Sequence, residues 1–290
     1  MSEINFDNFK CRCSAINKML ASSRSNPVLT EKQAVRLDEL EKKDKLSPTM
    51  QAEMTELLQK KENGKKIILS DTCITYLMEE YAWVTQRMVR ITKELEVMPM
   101  EKGKIVEPES VSLLCIVDGV LYNHNVERIR IYNDYLSGEV DAWLGNSIME
   151  AEVVPDIKSV WDYPTFLCKI HEVCSNDNDW QVKGYINITG AKSGFIADCL
   201  IDTPDYIVEK LKWQLLVKTH AATEESPEFL EKWLPLEHSM KFNHIPHHQR
   251  VNKKPIEPMT AFQQDQVYDR VKVCREWLNN FHETYQKLNK

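Results

Sequence analysis

Between Val117 and Glu127 the spacing of apolar residues changes, and this change limits the choice of fold more than any other feature of the chain. On its N-terminal side, Ile74, Leu77, Tyr81, Val84, Met88, Ile91 and Leu95 step by three and four, the stripe of an amphipathic helix, with Ser70-Asp71 as its N-cap. Gly103 to Val117 predicts a second helix, with Pro108 in its first turn because proline is poorly tolerated further in. Beyond it, Glu127 to Tyr135 alternates apolar and polar residues, as a half-buried strand does. Gly138 to Leu144 and Ile148 to Val160 are further strand candidates, separated by Gly145-Asn146. Thr165 to Cys174 and Trp180 to Thr189 read as helices, and Gly194 to Ile201 as a short buried strand. Thr203-Pro204 starts another helix, with proline at its first position. The stretch from about 221 to 260 is looser, and from about 262 a terminal helix carries Val267, Val271, Cys274, Leu278, Phe281 and Tyr285 on one stripe. Helix, three strands, helices, strand and helix, in that order, predict an α/β domain with a central mixed β-sheet.

Residues 1–66 are expected to form a charged, helical N-terminal extension, rich in Glu, Lys, Leu and Met from Glu31 to Lys61 and closed by a turn at Asn63-Gly64. Residues 67–290 then make up the main domain. The 290 residues hold 8 glycines, none placed to form GxxxxGK[ST] or GxGxxG, so the usual nucleotide-cradling loops are not expected. No apolar run reaches the ~18 residues of a membrane span. The polar start, Met1 to Lys10, has no secretory character, so a cytoplasmic location is expected. The eight cysteines form no CxxC and are expected to be reduced. The net charge of −7 does not steer the protein toward nucleic acid through its overall field. Two basic clusters stand out: Lys60, Lys61, Lys65 and Lys66, and Lys241, Arg250, Lys253 and Lys254 interleaved with His244, His247 and His248. Each is either a solvated surface or a guide for a phosphate backbone.

The residues with chemical potential lie between Gly103 and Tyr185. Asp156 and Lys158 are two apart on an expected strand, so they project from one face while Ile157 points to the other. Asp141, fifteen residues before Asp156 on a neighbouring expected strand, converges on it if the strands are adjacent. Glu107, at a helix start, adds a third carboxylate; Glu109, or Glu79 and Glu80 on the preceding helix, are its alternatives. Gln181 and Tyr185, four apart, share a helix face. Clustered carboxylates repel unless a cation neutralises them, and hard oxygen ligands suit Mg²⁺ or Mn²⁺. A lysine beside such an ion can orient or deprotonate a water, or stabilise developing negative charge. Three acids and a lysine therefore make a plausible site for phosphodiester hydrolysis. His238, His244, His247 and His248 have no helical HExxH frame and are expected to be solvated or DNA-contacting rather than metal ligands. Trp143, Trp161 and Trp180 flank the motifs and are expected to pack in the core.

Gly103-x-x-x-Glu107-Pro108, Gly138-x-x-Asp141, Asp156-x-Lys158 and Gln181-x-x-x-Tyr185 resemble, in order and spacing, the successive motifs of the PD-(D/E)xK nuclease superfamily. The branch with the QxxxY element, the RecB-like and phage-type exonucleases, is the most similar, and the resemblance covers about residues 100–218. It implies a restriction-endonuclease-like core flanked by helices. It further implies Mg²⁺ or Mn²⁺ bound by Glu107, Asp141, Asp156 and the Ile157 carbonyl, with Lys158 as the catalytic lysine. Gln181 and Tyr185 would position the DNA strand or the active-site groups. The iron–sulfur cysteines of Cas4- and AddB-type relatives are missing, since only Cys274 lies beyond residue 200, and a RecB-like motor subunit is not expected.

The resulting expectation is a metal-dependent deoxyribonuclease, an exonuclease on duplex DNA ends, with Lys65, Lys66, Arg250, Lys253 and Lys254 guiding the backbone. By resemblance it serves phage-type recombination or DNA processing in a bacterial host, encoded by a phage or prophage. A single-strand annealing protein is then a natural partner, and some relatives form homo-oligomeric rings. The alternatives are an endonuclease or a flap or single-strand nuclease of the same fold, and a catalytically inactive DNA-binding protein.

Overall fold

The computed structural model describes residues 4–22, 29, 31–43, 45–63, 67–90 and 98–288. The chain divides into two compact units, Met1–Arg90 with Thr260–Lys290, and Ile91–Met259. The N-terminal elements are a two-residue strand β1 (Cys11–Arg12) and the helices α1 (Ile16–Leu20), α2 (Glu31–Glu41), α3 (Pro48–Asn63) and α4 (Asp71–Gln86). In α2 and α3 the apolar positions Leu37, Leu40 and Leu57 bury against one another, and the Arg36 guanidinium spans both Glu53 oxygens at 3.0 Å. Ser70 caps α4 by accepting the Cys73 N–H at 3.2 Å. Of the expected stripe, Leu77 and Tyr81 are buried. The helix stops at Gln86, where Arg87 turns left-handed, so Met88 lies beyond it; Ile91 and Leu95 lie outside the described residues.

The second unit opens with α5 (Met98–Ile105) and α6 (Glu107–Asp118). The single helix expected over 103–117 is thus two helices, broken at Val106. Pro108, second in α6, has no N–H to continue α5 and restricts the residue before it. Four short strands follow: β2 (Asn123–His124), β3 (Ile131–Tyr132), β4 (Leu136–Gly138) and β5 (Ala142–Trp143). β2 pairs antiparallel with β5, and β3 with β4. The strand expected over 127–135 shrinks to Ile131–Tyr132, because Asn125 ties the Ile129 N–H to its own side chain and Arg128 adopts a left-handed backbone. The strand expected over 138–144 is interrupted at Asp141.

The main sheet consists of β6 (Val153–Val160), β7 (Ser193–Leu200) and β8 (Val251–Ile256) in that order. β6 and β7 run parallel, joined through α7 (Tyr163–His171) and α8 (Asn176–Thr189), whereas β7 and β8 run antiparallel. The sheet is mixed, as expected. Ile157, Ala197 and Cys199 pack from it against Val111 and Leu114 of α6, which closes a buried core on that face. Val160, Leu200, Phe166 and Phe242 form a second buried cluster. The stretch read as loose contains α10 (Pro227–His238) and β8, with α9 (Asp205–Thr219) before them; Pro204 is the N-cap of α9 rather than its first residue. β8 escaped detection because it is an edge strand, Val251-Asn252-Lys253-Lys254-Pro255-Ile256, whose charges and proline suit an edge but mask the apolar alternation.

The terminal helix α11 (Ala261–Leu288) belongs to the first unit. It buries Val267, Val271, Cys274 and Leu278, four of the expected stripe. Cys274 lies 3.8 Å from Cys73, and the His282 ring meets the Tyr81 hydroxyl at 2.9 Å, which locks α11 to α4. Among the described residues no helix is long and apolar enough to cross a membrane.

Candidate active site

Strand alternation on β6 sets the centre of the site. Ile157 faces the apolar core under α6, which leaves Asp156 and Lys158 together on the opposite face. Their side chains meet there, with Lys158 Nζ 2.7 Å from Asp156 Oδ2. Asp156 is fully buried, and this same Oδ2 accepts no hydrogen bond of good geometry. Its other oxygen accepts from Gln181 Nε2 at 3.1 Å. Gln181 also donates to the Tyr185 hydroxyl at 2.8 Å, so the two residues one helical turn apart act as a unit.

α8 can deliver Gln181 to that point because both its ends and its packing are fixed. Ser175 caps its start and Gly190, left-handed at φ 74°, ends it. Gly194 of β7 lets the helix sit close, since a Cβ there would lie 2.7 Å from Val182 and 2.8 Å from the Val154 carbonyl.

Asp141 comes from the bend between β4 and β5. Its Oδ2 accepts the Ile157 N–H at 2.8 Å, which fixes the carboxylate on the edge of β6 away from β7. The Ile157 carbonyl leaves the strand on that same edge. Glu107, the first residue of α6, is held by His124 Nε2 at 3.0 Å and Arg128 Nη2 at 2.8 Å. Arg128 Nη1 also lies 3.9 Å from Asp141 Oδ1. Of the alternatives to Glu107, Glu109 is exposed, Glu80 pairs with Arg12 and Glu79 with Arg90. On the neighbouring strand Asp198 stands in register with Lys158, and accepts from Asn252 at 3.0 Å with Lys254 3.5 Å away.

These groups perturb one another. Burial pushes the Asp141 carboxyl up to about 7, with Asp156 repelling it further. Burial also raises Asp156, against the opposing pull of Lys158. Burial alone would lower Lys158, but Asp156, Asp141 and Asp198 outweigh it and hold the ammonium above the usual lysine value.

The structure therefore brings together Glu107, Asp141, Asp156, Lys158, Gln181 and Tyr185. The basic residues fare differently. Lys65 and Lys66 lie outside the described residues. Lys253 pairs with Asp118 and Lys254 with Asp198, while Arg250 is buried with its Nε unpartnered. Sequence reasoning missed His124, Arg128, Asp198 and Asn252. His124 sits on the two-residue strand β2 and Arg128 in the left-handed turn after it, and the others become visible only once β7 and β8 are paired in register.

Among the described residues no three His, Cys, Asp or Glu side chains already stand close enough to hold a metal ion. Glu107 is turned to His124 and Arg128, and Asp156 to Lys158 and Gln181. The donor chemistry nonetheless fits a hard divalent cation: two mutually repelling buried carboxylates, one of them answered by the Lys158 ammonium, beside a strand carbonyl.

The sequence matches no protein-family model and no curated protein. Its fold does match solved structures. A phage-related exonuclease from Haemophilus somnus 129PT aligns with a TM-score of 0.58 at 17% identity, over 96% of this chain and 97% of that one. The alkaline exonuclease LHK-Exo from Laribacter hongkongensis aligns with a TM-score of 0.52 at 9% identity, over 97% and 96%. The same enzyme in complex with dAMP gives 0.50 at 10% identity, over 96% and 94%. Along nearly its whole length this chain shares the fold of these two exonucleases.

Proposed function

We propose that this protein is a nuclease dependent on Mg²⁺ or Mn²⁺, an exonuclease that hydrolyses phosphodiester bonds at duplex DNA ends. The observation that carries this reading is the pairing of Asp156 with Lys158 on β6, with Asp141 on the strand edge beside them and Gln181 fixing the second Asp156 oxygen. Asp141, Asp156 and the Ile157 carbonyl would hold the cation, with Glu107 joining once released from its present partners. A divalent ion so bound would polarise the phosphoryl oxygens and make water a stronger nucleophile.

The protein's own residues do the rest. In the absence of a cation Asp156, Asp141 and Asp198 hold the Lys158 ammonium above the usual lysine value, which sets a positive charge where negative charge would develop on the phosphate. Gln181 holds the Asp156 carboxylate in one orientation, and Tyr185 holds Gln181. Asp198, in register with Lys158 on β7 and held by Asn252, adds negative charge beside its ammonium. The lysines of β8 are available to a phosphate backbone by exchange from Asp118 and Asp198, whereas Arg250 is buried. That one exonuclease of the same fold is solved with dAMP adds weight to a nucleotide substrate.

Timed digestion of an end-labelled linear duplex with Mg²⁺ tests the reading. Asp156→Asn and Lys158→Ala are each expected to cut turnover by at least about a hundredfold while leaving the circular dichroism spectrum unchanged. Equal rates for the wild type and both variants would refute the assignment. An inactive DNA-binding protein of this fold is the competing reading, and it predicts no divalent-ion heat in calorimetry.

A further inference from the structure

Arg128 lies in the turn between β2 and β3 with φ at 53°, a backbone region that side chains other than glycine enter infrequently. The turn is built rather than loose. The Arg128 N–H bonds to the Asn125 carbonyl at 3.0 Å. Asn125 is buried, accepts the Ile129 N–H at 2.8 Å and donates to the Val140 carbonyl at 2.9 Å. A constrained loop thus aims one guanidinium at Glu107 and Asp141, at 2.8 and 3.9 Å, while about half of the side chain stays exposed to solvent. Glu107 is thus held by Arg128 together with His124 Nε2 at 3.0 Å, Asp141 lies within reach of the same guanidinium, and Asp156 is paired with Lys158.

A guanidinium fits carboxylate and phosphate with the same planar fork. A divalent ion bound by Glu107 and Asp141 would neutralise the charge that holds Arg128 and release its exposed head toward solvent, where a DNA backbone would lie. Resting on the nuclease reading above, we propose that Arg128 is a phosphate clamp parked on the acidic cluster, which changes partner from carboxylate to DNA phosphate when the divalent ion binds. Metal and DNA affinities are then coupled through this one side chain, and by linkage the coupling is reciprocal.

The test uses fluorescence anisotropy with a phosphorothioate-linked duplex, in EDTA and in Mn²⁺, together with Mn²⁺ calorimetry without DNA. Wild type, Arg128→Gln and Arg128→Lys are compared. In EDTA, Arg128→Gln should bind the duplex within about twofold of wild type. In Mn²⁺, wild type should gain about tenfold and Arg128→Gln should lose most of that gain, within the usual range of coupling between sites. Mn²⁺ itself should bind Arg128→Gln several-fold more tightly than wild type, since the competing cation is gone, and Arg128→Lys should fall between the two. An equal loss of duplex affinity with and without Mn²⁺ would make Arg128 an ordinary backbone contact and overturn the clamp, leaving the nuclease reading intact. If wild type and both variants fail to bind Mn²⁺, the clamp and the nuclease reading fall together.

Discussion

Asp141 carries the most testable charge in the molecule. In the unfolded chain its carboxyl titrates near the ordinary value of about 3.9, whereas in the fold burial and Asp156 hold it up to about 7. Between those values the folded protein keeps a proton that the unfolded chain has released. The stability this provides is full below about pH 4 and is lost as pH rises through about 7. In EDTA the melting temperature should therefore fall by several degrees between about pH 5 and pH 8. Asp141→Asn, which still accepts the Ile157 N–H, should flatten that fall, and a thermal melt with an undiminished slope in the variant would assign the effect elsewhere. Saturating Mn²⁺ should restore wild type at the upper pH by neutralising the carboxylates. At this scale the sequence was readable where chemistry follows a strict period. Asp156 and Lys158 share a face because a strand alternates, and Gln181 meets Tyr185 because a helix turns in 3.6 residues. Arg128 was unreadable for the opposite reason. Its neighbours alternate like a strand, Glu127 to Tyr135, but the left-handed turn that aims it depends on the buried Asn125 side chain.

The approach of α8 to the sheet decides whether Gln181 reaches Asp156. That approach runs through Gly194, where an added methyl would meet Val182 at 2.7 Å and the Val154 carbonyl at 2.8 Å. Neither neighbour is a flexible tip, so Gly194→Ala should cost about 1–3 kcal/mol, read from the urea midpoint. The surviving folded fraction should also show reduced turnover, because α8 must shift and Gln181 shifts with it. Gly103→Ala is the matched control. Its Cβ would meet nothing within 4 Å on a helix, and the change should be neutral or slightly stabilising. Equal midpoints for the two variants would show that α8 does not depend on this close approach. Elements with dense local signals were legible, namely β6, β7, α8 and α11. Elements that exist because of distant partners were not. β8 is ordered by its register with β7, Asp198 opposite Asn252, and its own residues carry little strand signal. α10 contains Pro235 one turn before its end, which a local reading treats as loop.

For the whole molecule, the distribution of charge bears on how the proposed DNA substrate would be held. The net charge is −7, and Lys253 and Lys254 already have carboxylate partners in Asp118 and Asp198. Long-range attraction to a duplex is therefore weak, and each lysine that takes a phosphate must leave an acid behind. The proposed catalytic side chains all lie within the Ile91–Met259 unit. Which termini join which unit was not written in the local pattern. The apolar stripe of α11 shows that a face needs covering, and only the folded contacts to Cys73 and Tyr81 reveal by what. A protein that gains little from the duplex interior should depend on what an end offers: frayed bases and a terminal phosphate without a neighbour on one side. Linear duplex should accordingly be degraded from its termini in Mg²⁺, while relaxed closed circles of the same sequence remain intact over the same time. A single nick or a restriction cut in the circle supplies the missing terminus, and the degradation that follows would separate an end requirement from a topological one. Conversion of intact circles to nicked or linear forms, abolished by Lys158→Ala, would instead make the enzyme an endonuclease built on the same acids.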